Sequence, residues 1–223
     1  MIKHHPKTEL LNAHVNGQLP ASLSAAIAMH NDLCPQCAQA VKHMTEQQAE
    51  LLFEHNDAPE LANDIDLNEI DIEQMISDIT NDDSVELLAE NVPVTISVKG
   101  QDYKIPRAIQ HMHMGKWHSL GKITRARMEL NEGDIHSSLL QIEPGGTVPE
   151  HTHKGFELTL LLQGSFSDEM GTYVPGDFIM LDGEHQHTPA TTEGCLCFTV
   201  ADGAQHFTQG INKLLNPIGS FIY

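Results

Sequence analysis

At 223 residues the chain is long enough for one large domain or two small ones, and its 40% apolar content is ordinary for a soluble protein. Its formal net charge of −19 excludes binding to nucleic acid through a basic surface. No apolar run approaches the ~20 residues that cross a bilayer, and the N-terminus lacks the apolar segment of a secretory signal. We therefore expect a cytoplasmic protein whose four cysteines stay reduced or bind metal.

Three helices are predicted in the first 53 residues. A proline opens each of them, because proline is tolerated in a first helical turn but not in a helix interior, and a glycine closes the first helix. The predicted helices cover about residues 6–17, 20–30 and 35–53. Three short helices bury little apolar surface by themselves, so this module is a candidate for a metal cross-link.

The pattern His30-x3-Cys34-x2-Cys37 falls at the junction of the second and third predicted helices. Cys-x2-Cys is a frequent half-site for structural zinc, and a helix N-terminus favours the thiolate form that binds metal. A closed tetrahedral site needs a fourth ligand, which His4 or His5 could supply from just before the first helix. The alternatives are a redox pair and two cysteines that pack as small apolar residues.

The middle of the chain is strongly acidic. No lysine or arginine occurs between Lys42 and Lys99, and fifteen aspartates and glutamates lie between Glu46 and Glu90. Apolar residues recur among them at near-helical intervals, which predicts an amphipathic acidic helix from about Asn68 to Ile79. Its apolar face must pack on its own domain or on a partner, and the acidic surface suits a basic protein. A solvated acidic linker is the alternative.

Residues 145–164 follow the pattern G-x5-H-x-H-x3-E-x6-G, which contains His151, His153 and Glu157. The two histidines are two residues apart, so they share one face of an extended strand, and Glu157 opens the apolar strand that follows. Two imidazoles and a carboxylate suit Zn, Fe, Mn, Ni or Cu. The pattern resembles the first motif of the cupin superfamily, small antiparallel barrels of the jelly-roll type. A polar hairpin with chance histidines is the alternative.

A cupin usually takes a third histidine from a later strand. Residues 175–177, Pro-Gly-Asp, and the apolar run after them resemble the turn and strand of the second cupin motif. His185 and His187 come next, and we favour His187, in its His-Thr-Pro context, as the fourth ligand. His185 stays open, because a strand would place both histidines on one face.

Cys195 and Cys197 are two residues apart in an apolar segment, so a strand would place them on the same face. Buried cysteines usually pack as small apolar side chains. The alternative hypothesis is that both face the barrel interior near the metal and take part in sensing an oxidant.

The helical module is similar to the zinc-binding anti-sigma domain of bacteria, and its combination with a C-terminal cupin resembles the ChrR anti-sigma factors. The resemblance covers essentially the whole chain. It implies an α+β two-domain fold: a small all-α zinc-bound helical bundle with its acidic helix or linker at residues 1–90, and a cupin jelly-roll barrel at residues 91–223.

The resemblance also implies two metal sites. In the family an N-terminal histidine completes the first site, and the interval to the motif histidine favours His5 over His4. The implied ligands are His5, His30, Cys34 and Cys37 in the first site and His151, His153, Glu157 and His187 in the second. Zinc is implied in both sites, with Fe, Mn or Ni as alternatives in the second.

The function implied by the resemblance is regulation. The helical domain would bind and inhibit an extracytoplasmic-function sigma factor, and the cupin would be needed for release in response to singlet oxygen or a related oxidant. This reading expects a protein partner, no direct contact with nucleic acid or membrane, and no catalysis. The main alternative is a cupin metalloenzyme, a dioxygenase or isomerase, whose metal keeps an open position for substrate. A metal or thiol sensor unrelated to sigma factors is a third hypothesis.

Overall fold

Helices occupy the N-terminal part of the chain and antiparallel strands occupy the C-terminal part, in a computed structural model that describes residues 1–54, 71–82, 94–203 and 205–207. The described helices are α1 (Thr8–Val15), α2 (Ala21–Leu33), α3 (Pro35–Glu54) and α4 (Ile72–Thr80). None of these helices is long and apolar enough to cross a membrane.

The first three helices begin and end close to the predicted positions. Gly17 adopts a positive φ of 65° just beyond α1, a conformation that glycine tolerates without strain. Proline precedes α2 directly and is the first residue of α3. α2 runs three residues beyond the predicted end at His30, and Cys34 then caps it by donating its backbone N–H to the His30 carbonyl at 2.8 Å.

Helix α4 forms the C-terminal part of the predicted acidic helix. The Asp71 carboxylate caps it by accepting a hydrogen bond from the Gln74 backbone N–H at 2.9 Å. The predicted start near Asn68 lies outside the described residues. Every apolar side chain of α4 is at least half exposed, and these are Ile72, Met75, Ile76 and Ile79.

A six-stranded antiparallel sheet organises the C-terminal part in the order β10-β7-β11-β5-β4-β3. Its strands are β3 (Met114–Leu120), β4 (Ile123–Met128), β5 (His136–Ile142), β7 (Glu157–Gly164), β10 (Phe178–Leu181) and β11 (Cys195–Ala201). Three antiparallel pairs accompany it: β1 (Thr95–Val98) with β2 (Gln101–Lys104), β6 (His151–His153) with β12 (Gln205–Phe207), and β8 (Phe166–Asp168) with β9 (Gly171–Tyr173).

Strand β11 lies at the centre of two cores, because all seven of its residues are buried. On one face, Leu196, Phe198 and Val200 pack in a cluster that also contains Leu23 and Ile27 of α2. On the other face, Cys195 and Cys197 pack with side chains of the barrel interior. The predicted alternation along this strand is thus confirmed, and it divides a helix-covered outer face from an inner face.

Residues 1–45 and 93–223 form one compact unit, and residues 46–92 form a second. Helices α1 and α2 and the part of α3 up to residue 45 therefore belong to the same unit as the sheet, whose outer face shares the core of α1 and α2. The division into domains at residues 90 and 91 stays a prediction.

Candidate metal centres

The first candidate centre lies where α2 meets α3. One ligand atom from each of His5, His30, Cys34 and Cys37 falls within a group whose members are all within 4.8 Å of one another. The Nδ1 atom of His5 lies 3.5 Å from the sulfur of Cys34 and 3.5 Å from the sulfur of Cys37. His30 is in the last turn of α2, and the two cysteines bracket the first turn of α3, so the short helix junction brings three of the side chains together.

His4, the alternative to His5, points elsewhere. Its ring packs against Tyr173, with 5.0 Å between the ring centroids. The structure thus brings His5 and not His4 to the cysteines.

Burial dominates the electrostatics of this first cluster. It raises the pKa of Cys37 to about 11, with a further contribution from the neighbouring Cys34 thiol. The sequence predicts that the helix N-terminus favours the thiolate. Among the protein groups, however, the effect of burial on the Cys37 pKa is larger than that of the helix. A divalent cation on the sulfurs would oppose that effect and stabilise the thiolates.

His30 is oriented for a role at the same cluster. Its Nδ1–H donates to the Gly176 carbonyl at 2.7 Å, which leaves Nε2 facing the cluster. That Nε2 atom is buried and has no hydrogen-bond partner among the described residues. Burial lowers the pKa of His30, so the ring is neutral near pH 7, the form that binds metal. A buried, neutral and unpartnered imidazole nitrogen beside two thiols fits a zinc ligand set.

The second candidate centre lies inside the barrel. Its side chains are His151, His153, Glu157 and His187, all of which are buried, with ligand atoms within 4.8 Å of one another. β6 places the first two histidines on one face, and Glu157 is the first residue of β7. His187 arrives on a loop that pairs with β6, because His151 and His187 exchange two backbone hydrogen bonds of 3.2 Å.

The side-chain atoms of this second cluster converge closely. His153 Nε2 lies 2.6 Å from Glu157 Oε2, and His151 Nε2 lies 3.1 Å from His187 Nε2. Burial raises the pKa of Glu157, but hydrogen bonds from His151 and His153 outweigh it and hold that pKa well below its ordinary value. Burial also lowers the pKa of His187, so its ring is neutral near pH 7. Three imidazoles and a carboxylate anion suit a borderline divalent metal ion.

Two of these imidazoles are oriented by outer hydrogen bonds. His151 Nδ1–H donates to the Pro149 carbonyl at 2.8 Å, and His187 Nδ1 bonds the Asp168 carboxylate at 3.1 Å. Both bonds turn Nε2 toward the centre, as is typical of metal-binding histidines. His185 is exposed instead and bonds Asp182 at 2.7 Å, so it lies outside the cluster.

A small cavity of about 30 Å³ adjoins the second cluster. His151, Glu157 and His187 line it. The other lining includes Leu140, Val148, Phe166, Ile179, Leu181 and Cys197. This volume holds about one water molecule, whereas sites for small organic molecules are typically ~300 to 1,000 Å³. Cys197 therefore faces the barrel interior beside the cluster. This position is compatible both with sensing an oxidant and with the usual packing role of a buried cysteine.

The outer hydrogen bonds were not predicted from the sequence. Asp168 lies in the β8–β9 hairpin, where no spacing relates it to His187. The sequence predicts a turn at residues 175–177, but nothing in it connects Gly176 to His30, which is 146 residues away.

Together these features define a class: a cupin-type barrel whose sheet carries a helical module with a cluster of histidines and cysteines that could hold a metal ion. Residues 106–204 match the family model for the ChrR cupin-like domain. The anti-sigma-E factor ChrR of Cereibacter sphaeroides is 29% identical over 218 residues, which cover 97% of each chain.

A solved structure agrees with this match. A chain in the crystal structure of Rhodobacter sphaeroides SigE in complex with the anti-sigma ChrR is 25% identical. The alignment covers 91% of the present chain and 100% of the ChrR-complex chain, with a TM-score of 0.64. The chain is a homologue of the ChrR anti-sigma factors, as its motifs predicted, and the predicted helical and cupin fold class is confirmed. The curated relative is an anti-sigma factor and not an enzyme, which agrees with the prediction of a regulator.

Proposed function

We propose that this chain is an anti-sigma factor that binds and inhibits an extracytoplasmic-function sigma factor through its N-terminal helices. The observation that carries the proposal is the similarity to ChrR over 97% of both chains. It acts in the cytoplasm, where a sigma factor meets RNA polymerase, and contacts neither nucleic acid nor membrane directly.

Helix α4 is the part of the N-terminal region best suited to contact the partner. Its apolar side chains Ile72, Ile76 and Ile79 are 51%, 54% and 68% exposed. They recur at helical spacing, so they share one face, and polar residues that include Glu73 and Asp78 occupy the rest of the helix. An apolar stripe with acidic flanks is complementary to a groove with a basic rim, and sigma factors carry basic DNA-reading surfaces.

The test compares two variants that each add one negative charge to α4. Ile76→Glu places the charge on the apolar face, and Gln74→Glu places it on the opposite face. The sigma factor is first identified by co-purification from the native host and mass spectrometry, and its affinity for the purified full-length chain is then measured. We expect Ile76→Glu to weaken binding by about tenfold or more and Gln74→Glu to leave it nearly unchanged.

Equal affinities of both variants and the parent would contradict a contact through α4, and failure to bind any sigma factor would contradict the function itself.

We further propose that both clusters hold metal ions, zinc at the first and zinc, Fe, Mn or Ni at the second. At the first, His5, His30, Cys34 and Cys37 would hold the ion, which would cross-link the N-terminal segment to α2 and α3. At the second, His151, His153, Glu157 and His187 would hold it. The donor types, the buried histidine nitrogens and the outer hydrogen bonds support this assignment.

Metal analysis of the purified chain tests the two sites separately. We expect about two ions per chain, with one lost in Cys34→Ala and the other lost in His151→Ala. His185→Ala is the matched control, since His185 lies outside both clusters, and it should retain both ions. A parent chain with a single ion that Cys34→Ala removes would refute the cupin site.

The cupin is proposed to be needed for release of the sigma factor in response to an oxidant such as singlet oxygen. The cavity beside its cluster has room for a very small molecule but not for an organic substrate. That geometry supports a sensing role over a dioxygenase or isomerase role.

A further inference from the structure

The N-terminal segment is held by a turn of the barrel. Asp177 Oδ1 accepts hydrogen bonds from the backbone N–H of Lys3 at 2.7 Å and of His4 at 3.0 Å. The Phe178 backbone N–H donates to the His4 carbonyl at 3.0 Å. These three bonds fix the backbone immediately before His5, whose imidazole faces the two cysteines.

The turn is built to receive this segment. Asp177 is fully buried, and its second oxygen accepts the Val174 backbone N–H at 2.8 Å. Burial raises the pKa of Asp177, but backbone N–H groups of Val174, His4 and Lys3 outweigh it and hold the pKa below its ordinary value. Gly176 has a φ of 95°, and a Cβ atom there would collide with the Ile2 side chain. Glycine favours this turn because its φ lies in the left-handed region, and it lets the Ile2 side chain approach without displacement.

The same turn also orients a second member of the first cluster. The Gly176 carbonyl accepts the Nδ1–H of His30, and the His30 ring packs edge-on against Phe178 with 5.8 Å between centroids. Both histidines of the first cluster are thus positioned by consecutive residues of the barrel and not by the helices alone.

We propose that the barrel supplies the outer shell of the N-terminal metal site, with Asp177 and the Gly176 carbonyl as positioning groups for His5 and His30. This inference rests on the proposed metal site. Outer-shell bonds fix the orientation of ligating histidines, and their loss typically costs ~10- to 100-fold in metal affinity. Docking of the helices on the barrel and metal binding between α2 and α3 are therefore linked: each stabilises the other.

The experiment titrates the metal-free full-length chain with Co²⁺ and follows the thiolate-to-cobalt charge-transfer absorption. Only a site with cysteine ligands gives this absorption, so the cupin cluster of histidines and a glutamate does not contribute. Competition with a chelator gives the affinity of the first site. Circular dichroism and the metal content of the cupin site report whether each variant is folded.

Two changes weaken the proposed contacts from opposite sides. Asp177→Asn removes the carboxylate charge and leaves one oxygen in place of two to accept the three backbone N–H groups, and Lys3→Pro removes one donor N–H without altering the turn. We expect each to weaken Co²⁺ binding by about 10- to 100-fold. The matched controls are Lys3→Ala, which keeps the N–H, and Asp202→Asn, which alters a different barrel carboxylate that accepts the Phe156 N–H at 2.7 Å. Both controls should bind Co²⁺ like the parent.

The outcomes separate this inference from the metal site itself. A parent chain that gives the thiolate absorption, together with Asp177→Asn and Lys3→Pro variants of unchanged affinity, overturns the outer-shell role and leaves the site standing. A parent chain without the absorption overturns the site and this inference with it. If Asp177→Asn does not fold, the comparison of Lys3→Pro with Lys3→Ala decides.

Discussion

Two aspartate–histidine pairs have the same chemistry but different surroundings. The side chains of Asp168 and His187 are buried, whereas those of Asp182 and His185 are exposed. In the buried pair, the carboxylate fixes one ring nitrogen and directs the other to the cluster. In the exposed pair, water competes for both groups and the bond is worth little. Burial and the orientation of the ring therefore identify His187 as the candidate metal ligand, a choice between His185 and His187 that the sequence leaves open.

Asp168→Asn should lower the metal affinity of the cupin site by about 10- to 100-fold, because the His187 ring loses its charged acceptor. Asp182→Asn is the matched control and should leave the affinity unchanged. Retention of metal is measured by elemental analysis after dialysis against graded chelator concentrations. Equal retention by both variants would mean that Asp168 does not support the metal site.

At the scale of elements, β11 joins the helical part to the barrel, since its two faces serve different cores. Phe198 is fully buried in the outer core, whereas Phe53 on α3 is 76% exposed. The outer core extends from α1 and α2 across the sheet, so loss of a large side chain there leaves a cavity between the two layers.

Phe198→Ala should lower the free energy of unfolding by about 3 to 5 kcal/mol, which combines lost burial with the cavity left behind. Phe53→Ala should change it by less than about 0.5 kcal/mol, as expected for an exposed residue. Urea unfolding of the metal-loaded chain measures both. A small effect of Phe198→Ala would show that the layers close over the cavity.

Short-range sequence patterns were enough to predict the helices and strands but not how the helices pack on the sheet. Proline positions predicted the starts of α2 and α3, and the two-residue spacing of His151 and His153 predicted their shared face, because both depend on short-range geometry. The packing of α2 on the sheet, and the bond from Lys3 to Asp177 across 174 residues, depend on tertiary contacts that leave no periodic signal. The side chains that orient the ligands were therefore missed, although the ligand candidates were found.

At the scale of the whole molecule, the two clusters lie on different sides of the sheet. The cupin cluster adjoins the inner face, beside Cys197, and the helices pack on the outer face with Phe198. Because neighbouring residues of one strand face opposite sides, a change inside the barrel can leave the helical surface intact. This arrangement permits separate loss of sensing and of sigma-factor binding.

His151→Ala should leave the affinity for the sigma factor within about twofold of the parent, since His151 belongs to the buried cluster inside the barrel. It should blunt the release of the sigma factor when cells are exposed to singlet oxygen, because the cupin cluster loses a ligand. Sigma-dependent transcription before and after exposure, together with binding by the purified proteins, measures both effects. His185→Ala, which alters an exposed histidine outside the cluster, should match the parent in both assays. A folded His151→Ala chain that no longer binds the sigma factor would contradict the idea that sensing and sigma-factor binding can be lost separately. A His151→Ala chain with a full oxidant response would show that the cupin cluster is not needed for sensing.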